Sequence, residues 1–194
     1  MTKVPSWFDS LSSSSDLPED ITSTMKDVKE KSGFLPNIFA LLANRPEEFR
    51  AFFAYHDALL SAEGTLSKAE KEMIIVSTSA ANNCLYCVVA HGAILRIRSK
   101  NAIISDQLAV DFEMADISER EKAMLRFAHK VSFHAQDISE EDFEPLYDHD
   151  FTDDDIWTIG SLAAFFALSN RLAGMTHLRP NREFYGLGRK EREG

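Results

Sequence analysis

Three stretches of this chain carry the same start signal for a helix: a hydroxyl residue, two further positions, then a carboxylate, all ahead of an apolar run. Ser67 and Glu70 precede MIIVSTSAA, Ser118 and Glu121 precede AMLRFAHKV, and Thr152 and Asp155 precede IWTIGSLAAFFAL; Ser139 and Asp142 form a weaker relative. At that spacing the hydroxyl accepts from one first-turn amide and the carboxylate reaches back to another, so two of the orphan N–H groups of a helix start are satisfied. Ile74, Ile75 and Val76 alone could pass for a strand, but the cap before them and the Ser-Ala-Ala tail after them favour a helix. ITSTMKDVKEKSG reads as a helix stopped at Gly33, and FLPNIFALLANRPEEF restarts past Pro36. PEEFRAFFAYHDALLSAEG runs from an acidic first turn to Gly64 with Phe49, Phe52, Phe53 and His56 at turn spacing. No alternating apolar–polar run with hairpin turns intervenes. The expectation is one all-α domain over residues 21–194, preceded over 1–20 by an irregular arm holding SSSS and Pro18.

At 194 residues such a bundle can bury a core without disulfide staples. A net charge of −10 argues against nucleic acid or an anionic membrane as partner. No secretory signal opens the chain, and its longest apolar stretches fall short of the roughly 20 residues that span a bilayer, so a cytoplasmic protein is expected. The acidic segment from Asp137 to Asp155 lacks the spacing of a calcium loop and reads as a solvated surface. Arg171 and Arg179, near the C-terminus, could pair with carboxylates of a neighbouring helix or subunit.

The chemistry concentrates in NNCLYCVVAH, which holds both cysteines, Cys84 and Cys87, and His91. Covalent haem is excluded because Val88, not histidine, follows the second cysteine. Structural zinc lacks ligands, since there is no second cysteine pair and no histidine at His-x3–5-His spacing from His91. With Asn82 and Asn83 as C-cap and N-cap, both cysteines lie at the start of a helix, where free amides and the dipole stabilise a thiolate. At ~100° per residue, Cys84, Cys87 and His91 fall within about 60° on one helix face. His91 is one turn from Cys87, in reach of it directly or through one water. Two thiols and a nearby base form a minimal thiol-redox unit. The alternative is a pair of buried structural cysteines beside a core-edge histidine. A thioredoxin-type domain would need a strand before the motif, and the flanks here are helical.

Glu72 stands twelve positions before Cys84, and Glu72-x11-Cys84-x2-Cys87-x3-His91 resembles the core motif of the AhpD-like alkylhydroperoxidases of the carboxymuconolactone decarboxylase superfamily. GFLPNIFALLANRPEEF, ANNCLYCVVAHGA and FFALSNRLAGMTHLRPNREFYGLGR extend the likeness to the peroxidase-related branch over nearly the whole chain. The resemblance implies an AhpD-like helical bundle, assembled as a trimer or hexamer, that reduces organic hydroperoxides in antioxidant defence. It implies Cys87 as the cysteine that attacks the peroxide, Cys84 as the resolving cysteine, and His91 with Glu72 as the proton relay. No bound cofactor or metal is expected. Electrons would come from an external lipoyl-type dithiol or a reductase, the chain having no dinucleotide fingerprint. The decarboxylase arm generally lacks the cysteine pair, so lactone decarboxylation is disfavoured. One position departs from the better-characterised members: where they carry a histidine between the cysteines, this chain has Tyr86, a poor base near neutrality that is expected to pack. His56, His129, His134, His149 and His177 receive no chemical role. Competing functions for the same pair are a protein disulfide oxidoreductase, a non-enzymatic redox-sensing oligomer with an interface in Phe34–Leu60, and a zinc-clipped helix pair.

Overall fold

The computed structural model describes Ser6 and residues 17–189, and every regular element among them is helical. In chain order these are α1 (Glu19–Ser32), α2 (Asn37–Leu42), α3 (Pro46–Ser61), α4 (Lys68–Ala81), α5 (Leu85–Ser99), α6 (Ile104–Val110), α7 (Glu119–His134), α8 (Glu144–Tyr147), α9 (Asp153–Met175) and α10 (Glu183–Gly186), with short 3-10 turns between some of them. The irregular arm expected over 1–20 lies mostly outside the described residues, and α1 begins within that stretch. Helix starts fall where the capping signals put them. Reciprocal boxes join Ser67 to Glu70, Ser118 to Glu121 and Thr152 to Asp155, and the Ser139–Asp142 box opens a single 3-10 turn. Gly33 ends α1 in the left-handed region, at φ 82°. Gly64 is not the stop of α3, which ends at Ser61. Its φ is +157°, and a Cβ there would sit 2.7 Å from Asp155 Oδ1. Gly64 is needed because the α3–α4 loop presses against the carboxylate that starts α9.

α4 is the central helix, packed against α5, α6, α7 and α9. Ile74, Ile75 and Val76 are fully buried, each worth roughly 2 kcal/mol of transferred apolar surface, which explains a β-branched run inside a helix: packing outweighs the small propensity cost. The polar residues that follow are buried with partners. Ser77 Oγ meets His129 Nε2 at 2.7 Å, Thr78 donates to the Ile74 carbonyl, and Ser79 donates to Asn170 Oδ1 at 2.9 Å. α9 spans 23 residues, longer than its apolar run, and by length and composition alone it is long enough to cross a membrane. That differs from the length argument made on the sequence. Here Ile159, Leu162 and Ala163 of α9 are fully buried among the other helices.

Two buried charges tie the layers together. The Lys71 ammonium donates to the carbonyls of Leu59 and Leu60 at 3.2 Å and of Ala62 at 2.6 Å, capping the C-terminal end of α3 from α4. Burial pushes its pKa down. The Arg96 guanidinium on α5 donates to Ser105 Oγ and to the carbonyls of Phe184 and Leu187, fastening α10 across α5. Among the described residues neither Arg171 nor Arg179 meets a carboxylate: Arg171 bonds the Ala167 carbonyl and Arg179 the His177 ring.

Candidate active site

The turn between α4 and α5 sets the cysteines. Asn82 closes α4, Asn83 takes a left-handed conformation at φ 55°, and the chain enters α5 one residue later than the Asn83 cap expected from sequence. The N-cap is Cys84 itself, whose sulfur accepts from the Cys87 amide at 3.4 Å. Cys84 and Cys87 are 5% and 1% exposed, in an apolar cluster with Tyr86, Ala90 and Ala93 of α5, Phe34, Leu41, Ala173 and Phe184. Both are free thiols.

Their environments pull them apart. Hydrogen bonding from the Cys87 thiol, with the amides of Cys87 and Tyr86, holds Cys84 below the usual thiol range despite its burial. Cys87, donating that bond and more deeply buried, is pushed well above it. The two thiols titrate as one coupled pair, biased toward ionisation at Cys84. Ser169 Oγ of α9 lies 3.9 Å from Cys87 Sγ, and the hydroxyls of Ser169 and Ser79 temper the rise in its pKa.

The glutamate reaches the histidine. Glu72, on α4 and fully buried, meets His91 Nδ1 of α5 through Oε2 at 2.8 Å. That bond leaves Nε2 as the ring nitrogen available for proton transfer. Phe166 packs its ring edge-on to His91 at 4.7 Å between centroids. Glu72 Oε1 is buried without a hydrogen bond, and Arg98, two turns beyond His91, approaches it at 3.4 Å. Tyr86 does pack: burial raises its pKa, and its hydroxyl is taken by the Ile38 amide of α2 at 3.2 Å. Among the described residues no group of three or more His, Cys, Asp or Glu is disposed to hold a metal ion.

Four site residues escaped the sequence reading. Arg98, Ser79 and Ser169 are common residue types on helix faces, and only packing aims them inward. His56 stood out only by its spacing with phenylalanines. The fold carries it from α3 to within 6.4 Å of His91, ring centroid to centroid.

Comparison with known proteins places the chain in a family. The carboxymuconolactone decarboxylase family model matches residues 46–130, from the start of α3 through most of α7, and includes Glu72, both cysteines and His91. Curated proteins give no match. Among solved structures, a peroxidase-related protein from Ralstonia eutropha JMP134, described as an alkylhydroperoxidase AhpD core, is 55% identical with a TM-score of 0.89, over 91% of this chain and 93% of that one. A peroxidase-related protein from Silicibacter sp. TM1040 is 37% identical with a TM-score of 0.87, over 91% and 92% of the two chains. The debrominase Bmp8, at 20% identity and a TM-score of 0.72 over 86% and 88%, shares the fold. The chain belongs to the AhpD-like, peroxidase-related branch of the carboxymuconolactone decarboxylase superfamily.

Proposed function

We propose that this protein is a thiol peroxidase that reduces organic hydroperoxides by opening and closing a Cys84–Cys87 disulfide. The observation that carries the reading is the junction of two arrangements in one buried site: a coupled cysteine pair at a helix start, and His91, one turn along the same helix, paired with Glu72 of α4. Cys87 is the attacking sulfur in this reading. Its proton passes to Cys84, with which it is already shared, and its thiolate attacks the terminal oxygen of ROOH. The O–O bond breaks, Cys87 becomes a sulfenic acid, and His91 protonates the departing alkoxide. Cys84 then attacks the Cys87 sulfur, the disulfide forms, and water leaves. Glu72 holds the His91 ring in orientation and balances its charge while it carries the proton.

An external dithiol of lipoyl type, or a reductase that carries one, reopens the disulfide. The burial of both sulfurs favours a small oxidant over a protein disulfide, which needs an exposed sulfur to exchange. The trimer or hexamer of the family and a cytoplasmic setting belong to the same proposal. The test is consumption of an organic hydroperoxide with dihydrolipoamide by wild type, Cys87→Ser and Cys84→Ser. Many turnovers by wild type, none by Cys87→Ser and a stalled sulfenic acid in Cys84→Ser support these roles. If Cys84→Ser fails to react and Cys87→Ser stalls with a sulfenic acid on Cys84, the roles are reversed. A single oxidation without turnover removes the enzyme reading for this donor.

A further inference from the structure

We propose that His56 is a second imidazole of the site, carrying protons between His91 and solvent. The inference rests on the peroxidase reading. It begins from the proton balance of the cycle. The reactive pair holds one proton, because its nucleophile is a thiolate, yet closing the disulfide yields one alcohol and one water: thiolate, thiol, ROOH and one further proton give disulfide, ROH and water. That further proton comes from outside the sulfur pair in each oxidation. It leaves again when the external dithiol reopens the disulfide to a thiolate and a thiol. Glu72 and His91 are 0% and 13% exposed, so a proton on His91 needs a way out.

The structure holds a graded series of groups along that way. His56 on α3 is 22% exposed, and its neighbour Asp57 is 77% exposed. His56 Nδ1 meets Asp57 Oδ1 at 2.8 Å, and His91 Nδ1 meets Glu72 Oε2 at 2.8 Å. Each ring spends the same nitrogen on a carboxylate and keeps Nε2. With 6.4 Å between ring centroids, the gap is of the size that one water spans. The two imidazole–carboxylate pairs then run Glu72, His91, His56, Asp57 from core to surface. Phe53, Phe165 and Phe166 wall the rings. Tyr86 is a poor stand-in: its buried hydroxyl accepts from the Ile38 amide of α2, and burial raises its pKa.

The groups that face His56 are Asp57 on its own helix, Glu72 of α4, His91 of α5 with Arg98 behind Glu72, and the two phenyl rings of α9. Burial, opposed by Asp57, lowers the His56 pKa below the ordinary 6.5, and a positive His91 lowers it further. At neutral pH His56 is therefore the uncharged form that can accept a proton from His91 and release it.

The experiment has two arms. In the first, the His56 ring is titrated by NMR in wild type and in His91→Gln. Coupling across the gap is expected to raise the His56 midpoint in the variant, and an unmoved midpoint overturns the inference. This arm needs no peroxide and stands even if the peroxidase reading fails. In the second, single-turnover oxidation by cumene hydroperoxide is followed from pH 5 to 9 in wild type, His56→Gln and His56→Gly. The relay is expected to cost each variant about tenfold in rate, to change the pH profile, and to be restored in His56→Gly by added imidazole. Wild-type rates and pH profile in His56→Gln overturn it, as does a slowed His56→Gly that imidazole does not rescue. Wild type that fails to react with hydroperoxide at all sinks the peroxidase reading and leaves the first arm to decide the coupling.

Discussion

Arg98→Gln isolates the charge balance under the site. Glu72 is a fully buried carboxylate with one oxygen on His91 and the other without a hydrogen bond, 3.4 Å from the Arg98 guanidinium. Two unit charges at that separation attract by about 5 kcal/mol at an effective dielectric near 20. Arg98 is 28% exposed, so water screens part of this, and its hydrogen bond to the Lys68 carbonyl is long at 3.4 Å. Glutamine removes the charge and shortens the reach. The expected loss is about 2–4 kcal/mol, in line with breaking a buried pair from one side. With a urea m-value of about 2 kcal/mol/M, the midpoint should fall by roughly 1–2 M at unchanged slope. Peroxidase turnover should fall with it, because a Glu72 stripped of its cation holds His91 less firmly. Arg98→Lys, which keeps the charge, should recover at least half of the loss. The decisive comparison repeats Arg98→Gln in a Glu72→Gln background, where the penalty should nearly vanish. If Arg98→Gln changes stability by less than about 0.5 kcal/mol, or costs the same in both backgrounds, the compensation argument is wrong.

Three further outcomes are expected. Lys71→Met keeps the bulk of the side chain but strands three carbonyls at the end of α3, so about 2–4 kcal/mol should be lost in urea unfolding; a neutral result would mean those carbonyls find water. Asp155 accepts from the amides of Thr152 and Thr65 and from both hydroxyls. Burial raises its pKa, but these bonds outweigh it and hold the carboxyl below the ordinary 3.8. A depressed folded pKa contributes stability that is complete above the unfolded value and lost as pH falls through the folded one. Acid unfolding curves should therefore flatten below about pH 4 in Asp155→Asn relative to wild type, and parallel curves would refute the assignment. Tyr86→Phe should cost at most about 1.5 kcal/mol, for one lost bond to the Ile38 amide, and leave the hydroperoxide oxidation rate within twofold; a larger kinetic effect would give the phenol a chemical part.

What the sequence made legible was local. A capping box is complete within four residues, so Ser67, Ser118 and Thr152 announce α4, α7 and α9 without knowledge of the fold. The cysteines and His91 share a face because they share a helix. Glu72 could be joined to His91 only through the family motif, since nothing in spacing tells how α4 and α5 lie against each other. His56 is 35 positions before His91, beyond any periodicity argument, and the Arg98 approach to Glu72 depends on the same packing of α4 on α5. The cap was misplaced by one residue because Asn83 leaves α4 in a left-handed conformation, which a single backbone dihedral decides.

The position of that cap has a thermodynamic consequence. Cys84 opens α5 with its sulfur on the Cys87 amide, so the acceptor that starts the helix is the atom that changes charge when the disulfide closes. A thiolate accepts that bond strongly and a disulfide sulfur poorly, so the reduced protein keeps a helix cap that the oxidised protein largely gives up. A cap is worth about 1 kcal/mol. For a two-electron couple that is a bias of about 20 mV toward the dithiol. The end of a helix thus acts as a small spring on the redox equilibrium, tilting the oxidised protein toward accepting electrons again.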